Sequence, residues 1–125
     1  MSEARKVLSV GQCDPDSAAL ARFLGQHFSV AIERAALPDE ALDKLRSGPY
    51  DLVLINRKLD ADYTDGAEIL KAIKNDEALA KTPVMVVSNY EEAQLQAVAL
   101  GAEYGFGKLE FAKPEVVERL KPFLA

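Results

Sequence analysis

Short apolar runs alternate with longer amphipathic stretches along the whole chain. The clearest run is Leu52-Val53-Leu54-Ile55, which stops at the polar amide of Asn56. An unbroken run this short reads as a strand covered on both faces, here spanning Tyr50 to Asn56. Ser47-Gly48-Pro49 marks the break before it. Four other runs read as strands: Lys6 to Val10, Ser29 to Arg34, Val84 to Val87 stopping at Ser88, and Glu103 to Lys108. Gly105 and Gly107 weaken the last of these. The stretches between them carry apolar residues at helical spacing. Leu20, Phe23, Leu24 and Phe28 give one face to a helix from Asp16 to Gln26, after the turn signal Asp14-Pro15-Asp16. Ala41, Leu42 and Leu45 follow Pro38-Asp39-Glu40, whose acids suit a helix start. Ile69, Leu70 and Ile73 follow Gly66. Leu95, Val98 and Ala99 form the expected inner face of a helix from Glu91 to Leu100, closed by Gly101. Val116, Val117, Leu120, Phe123 and Leu124 follow Pro114.

Five strands alternating with five helices imply βαβ units, a parallel sheet and helices on both of its faces. Right-handed crossovers leave few topologies, and the expected one is the α/β flavodoxin-like (βα)5 fold with strand order 2-1-3-4-5. Ligands of such sheets sit beyond the carboxyl ends of the central strands. The expected lining there is Gly11, Gln12, Asn56, Ser88 and Lys108.

Composition narrows the function classes. A chain of 125 residues fits one domain, 1–125, able to bury a core without disulfides. The net charge of −5 gives no footprint for nucleic acid and no attraction to anionic membranes. No apolar run approaches the ~18 residues of a membrane span. The opening Met1 to Lys6 lacks a signal peptide's apolar core, and a lone Cys13 suits a reducing compartment, so the expected location is the cytoplasm. The chain ends one residue after Leu124, where the fifth helix should finish, which fits a stand-alone domain and an excised amino-terminal domain alike.

Other candidate signals have plain readings. Asp60-Ala61-Asp62-Tyr63-Thr64-Asp65-Gly66 resembles a calcium loop, but its glycine is one place late and Lys71 stands where a bidentate acid is needed, so a solvated acidic loop is expected. Cys13 reads as a small half-buried hydrophobe. His27 has no second histidine to share a metal and reads as a surface residue at a helix end. No nucleophile–base pair has credible spacing.

Asp51-Leu52-Val53-Leu54-Ile55, Pro83-Val84-Met85-Val86-Val87-Ser88, Leu100-Gly101-Ala102-Glu103 and Lys108 together resemble a response-regulator receiver domain, over Lys6 to Leu124. The resemblance implies five chemical groups. They are an aspartate nucleophile after the third strand, two acids after the first strand that hold Mg²⁺ with it, a Ser/Thr after the fourth strand, and a lysine after the fifth. Ser88 and Lys108 match. The nucleophile position is Asn56, a neutral amide with delocalised lone pairs. The acid-pair positions are Gly11 and Gln12, poor donors for a hard cation. The aromatic switch position is Gly105, the proline expected after the lysine is Leu109, and the loop before Gly66 is about two residues longer than usual. In formal charge, the family's empty site is −2, three carboxylates and a lysine. Here it is +1, so a divalent cation would be repelled and no Mg²⁺ is expected.

The resemblance and its gaps imply a degenerate receiver, a pseudo-receiver, that is not an enzyme. It would act by protein–protein interaction in two-component-type signalling, its output constitutive or set by a partner. In the family the signal is read on the fourth helix, fifth strand and fifth helix, which gives Tyr90, Gln94, Tyr104, Phe106, Lys113 and Arg119 as the candidate face. Two alternatives stand beside this. Asp60 or Asp62, with Asp14 helping to bind Mg²⁺, would replace the missing acids in an unconventional phospho-receiver. Or the site around Gly11, Gln12, Asn56 and Lys108 would bind a small molecule or anion. The sequence leaves the partner unnamed and a homodimer open.

Overall fold

Hydrogen bonding between parallel strands fixes the architecture. The computed structural model describes residues 4–111 and 113–125, so the reading of the first three residues as part of a leaderless start lies outside them. In chain order the elements are β1 (Arg5–Val10), α1 (Asp14–His27), β2 (Val30–Ala35), α2 (Pro38–Ser47), β3 (Leu52–Asn56), α3 (Gly66–Asn75), β4 (Val84–Val87), α4 (Glu91–Ala99), β5 (Glu103–Phe106) and α5 (Pro114–Leu124). The five strands form one parallel sheet in the order β2-β1-β3-β4-β5, the flavodoxin-like order expected. No helix among the described residues is long and apolar enough to cross a membrane.

Alternation along the strands builds a core on each face. Leu8, Val10, Val53, Ile55, Val84 and Val86 face Ala41 and Leu45 of α2, Ile69, Leu70 and Ile73 of α3, and Ala97 of α4. Val7, Leu52, Leu54, Met85, Val87 and Phe106 face Leu20, Phe23 and Leu24 of α1 and Val116, Leu120 and Leu124 of α5. The apolar run Leu52–Ile55 is fully buried, as a strand covered on both sides must be.

The structure differs from the pattern reading in four places. α1 starts at Asp14, with Cys13 in the cap position and Pro15 in the first turn. Asp14 is the first residue of the helix, and its carboxylate accepts from Arg34 at 2.9 Å. β5 ends at Phe106, and Lys108–Glu110 form a 3-10 turn closed by Glu110 accepting from the Gly107 N–H at 2.9 Å. α4 is turned about its axis: Gln94 and Ala97 face inward, while Leu95 and Val98 are 56% and 41% exposed and Ala99 is exposed. The cause is Gln94, whose buried amide serves three backbone groups of β4 and β5. Satisfying those groups outweighs the burial of two aliphatic side chains. Finally, Leu59 in the polar loop after β3 is fully buried.

At the opposite end of the sheet, the buried Tyr50 hydroxyl donates to the Glu33 carboxylate, and Lys6 Nζ lies 4.8 Å from the Tyr50 ring centre. Burial first, then the hydrogen bond to Glu33, raises the Tyr50 phenol from 10.0 to about 12. The folded chain keeps a proton that the unfolded chain loses, so this contribution to stability is complete below the unfolded value and is lost as pH rises from about 10 to about 12. A phenolate absorbance titration should show the Tyr50 fraction ionising late, and Tyr50→Phe should remove that late step. A native titration that Tyr50→Phe leaves unchanged in shape would contradict the hydrogen bond to Glu33.

Candidate functional site

The site is built at the carboxyl end of β3. Asn56 closes that strand and pairs with Val87 of β4. Its side chain is committed to the backbone: Nδ2 donates to the Gly11 carbonyl at 3.3 Å and to the Lys58 carbonyl at 2.8 Å. The Asp60 N–H donates to the same Gly11 carbonyl at 2.9 Å. The loops after β1 and β3 are thus tied together through one carbonyl oxygen and one amide.

Leu59 explains how the longer loop is accommodated. It turns inward and packs over Gly11, whose φ is +77°. A Cβ at position 11 would lie 2.6 Å from Leu59 Cγ. No side chain fits there while Leu59 is seated, and seating Leu59 is worth about 1.5–3 kcal/mol of burial. The rest of the loop is ordered by its own bonds: Leu59 N–H to Thr64 carbonyl at 2.9 Å, Thr64 N–H to the Asp62 carboxylate at 2.9 Å, and Asp65 capping α3 by accepting from Ala67 N–H at 2.9 Å. The Thr64 backbone holds the Asp62 carboxyl below its ordinary value.

Sequence reasoning missed Asp16. Lys108 Nζ lies 2.5 Å from its Oδ2, and that bond, with a second from the Cys13 thiol, holds the Asp16 carboxyl below the usual range. The charge of the lysine is thereby paired. Asp16 had a signal, an acid one turn into a helix that starts beside the strand ends, but only the fold brings it within reach of Lys108.

The expected single lining splits into two crevices. Asn56, Ser88 and Lys108 line a cleft of about 250 Å³ with Arg57, Lys58, Val87, Asn89 and Tyr90. Gly11 and Gln12 lie instead along a separate crevice of about 410 Å³ with Asp14, Arg34 and Asp60. Gln12 is buried and its Nε2 has no partner among the described residues. The Asn56 cleft has three cationic residues and no carboxylate in its lining. Arg57 packs 5.7 Å from the Tyr90 ring centre. Ser88 Oγ accepts from the Tyr90 N–H at 3.1 Å, and Asn89 Oδ1 accepts from the Leu109 N–H at 3.0 Å.

Fit to a divalent cation follows from the donor set. Positions 11, 12 and 56 offer glycine, a neutral amide lining the other crevice and an amide already bonded to carbonyls. Asp14 is bonded to Arg34, Asp62 to Thr64, and Asp60 faces the other crevice. Among the described residues no three His, Cys, Asp or Glu side chains are grouped to hold a metal. Mg²⁺ is ordinarily held through one or two carboxylates, and positions 11, 12 and 56 supply none.

The candidate face is corrected in two members. Tyr90 is 67% and Tyr104 40% exposed, Lys113 is exposed and Arg119 half-buried. Gln94 and Phe106 are buried, at 3% and 0%. Gln94 is drawn in by its backbone bonds. Phe106 pairs with Val87 and with it enters the α1–α5 core, against Phe23 and Phe111. Leu95 and Val98 take their place on the surface.

Comparison with known proteins agrees with this fold. A family profile described as the response regulator receiver domain matches residues 14–121. A putative response regulator from Chloroflexus aurantiacus J-10-fl superposes with a TM-score of 0.82 at 21% identity, over 97% of this chain and 98% of that one. The signal receiver domain of a DNA-binding response regulator from Colwellia psychrerythraea 34H gives 0.77 at 26% identity, over 94% and 96%. The chemotaxis response regulator CheY4 of Vibrio cholerae gives 0.70 at 22% identity, over 96% and 95%. With the profile covering most of its length and the strand order in agreement, the chain belongs to the response regulator receiver domain family, a signalling module of two-component systems.

Proposed function

We propose that this domain is a degenerate receiver that signals without phosphorylation, through contact with a protein partner. The carrying observation is Leu59 seated on Gly11 beside an Asn56 amide bonded to two carbonyls. Three arguments support the reading. Asn56 offers no charged nucleophile at the strand end. The space of the first acid of the family's pair is filled by an aliphatic side chain. Lys108 has a carboxylate partner, Asp16, in a different place from the missing acceptor. The exposed Tyr90, Leu95, Val98 and Tyr104 give the α4–β5 side an apolar surface of the kind that partners cover. No catalytic step is assigned to the domain and no cofactor is needed for this role.

One observation favours a second reading, an anion in the Asn56 cleft. Arg57, Lys58 and Lys108 line it, and Asp16 offsets one of these three charges. Titration with inorganic phosphate, followed by backbone amide shifts at Ser88, Asn89 and Tyr90, separates the readings: saturable shifts confined to these residues support the anion.

Incubation with Mg²⁺ and a small-molecule phosphodonor should leave the intact mass unchanged while an active receiver alongside gains a phosphoryl group. An adduct lost on mutating Asp60, Asp62 or Asp14 would replace this proposal with a phospho-receiver whose acids have moved. Asn56→Asp should remain unmodified and should lower the urea midpoint, by about 1–3 kcal/mol of stability, because an ionised carboxylate has no proton to give the Gly11 and Lys58 carbonyls. A more stable Asn56→Asp chain would show that those two bonds do not hold the loops.

A further inference from the structure

The joint between α4 and β5 is built unlike an ordinary helix–strand contact. Three steps along β5 match two along β4, since Met85 pairs with Glu103 and Val87 with Phe106. The extra residue makes a bulge around Tyr104 and Gly105. Gln94 reaches into it from α4. Its Oε1 accepts from the Gly105 N–H at 2.8 Å, and its Nε2 donates to the Val86 carbonyl at 2.8 Å and the Ser88 carbonyl at 3.2 Å. Both amide protons and the amide oxygen are used, on a side chain 3% exposed. From the other side Arg119 of α5 donates to the Gly105 carbonyl, with its guanidinium 5.0 Å from the Tyr104 ring centre.

Gly105 makes this joint possible. A Cβ there would press on the Val86 carbonyl oxygen and lie 3.1 Å from Gln94 Oε1. The residue that stands where the family has an aromatic switch is thus held by a side chain on each peptide group, one from α4 and one from α5. Moving α4 away from the sheet would leave the Gly105 N–H and the Ser88 carbonyl without this partner in a dry interior, where unmet polar groups are costly. A two-state equilibrium of this face needs a second arrangement of comparable free energy. The three bonds of Gln94 disfavour any such arrangement.

We propose that Gln94 and Arg119 clamp Gly105 and hold the α4–β5–α5 face in one arrangement. Gln94 is the positioning residue of this clamp. The inference rests on the proposed function only for what the face is used for; the clamp itself is tested without any phosphodonor.

The test is native-state amide exchange and relaxation dispersion on the isotope-labelled full chain. The Gly105 amide should exchange slowly, as the core strand amide of Val53 does, and α4 and β5 should show no microsecond–millisecond exchange. Gln94→Met keeps the volume and removes the bonds. It should speed Gly105 exchange roughly tenfold or more and start dispersion across α4, while Val53 keeps its protection. Arg119→Met, at a half-buried surface position, should start dispersion at Tyr104 to Phe106 and serves if Gln94→Met does not fold. A native chain in which Gly105 exchanges as fast as the exposed loop residue Ala61, or in which α4 and β5 already show dispersion, would overturn the clamp. So would a folded Gln94→Met chain with Gly105 still protected. A phospho-adduct in the mass experiment with Gly105 still protected would remove the proposed function and leave the clamp.

Discussion

Burial of β3 on both faces is the constraint on which the rest of the molecule depends. Its residues Leu52 to Ile55 have no exposed surface, so neither side of the sheet can be left open to water. Helices must cover both, and in a parallel sheet they must arrive by crossover connections. That geometry delivers every loop that follows β1, β3, β4 and β5 to the same end of the sheet. Asn56 lies where this apolar run stops, and its amide finds partners in the loop backbone.

The strand-end site departs from the five-group pattern that the family resemblance implies in space as well as in charge. Loss of carboxylates alone would leave an empty polar hollow, open to water or ions. Instead the longer loop places Leu59 over Gly11, and the positive φ of Gly11 suits a residue with no Cβ. The two features are compatible only together. What persists is a cleft whose lining is cationic, with Lys108 anchored by Asp16 from the start of α1.

The α4–β5 side shows how a polar side chain can decide a helix's orientation. By hydrophobicity, Leu95 and Val98 belong inside; in the fold they are outside and Gln94 is inside. The bulge in β5 presents backbone groups that require a partner, and the Gln94 amide supplies both donors and an acceptor. The displaced aliphatics then become surface.

Local pattern was enough for the element order, the strand sequence 2-1-3-4-5, most core residues outside α4 and the identity of the strand-end positions Asn56, Ser88 and Lys108. Those follow from short-range rules: apolar runs of strand length, three- and four-residue spacing, and the handedness of crossovers. The partnership of Lys108 with Asp16, the seating of Leu59 on Gly11, the division of the strand-end residues between two crevices and the inward turn of Gln94 were decided only by tertiary structure. Each joins residues distant in sequence or depends on which backbone groups a bulge or loop leaves unpaired, and a one-dimensional pattern of polarity carries no record of either.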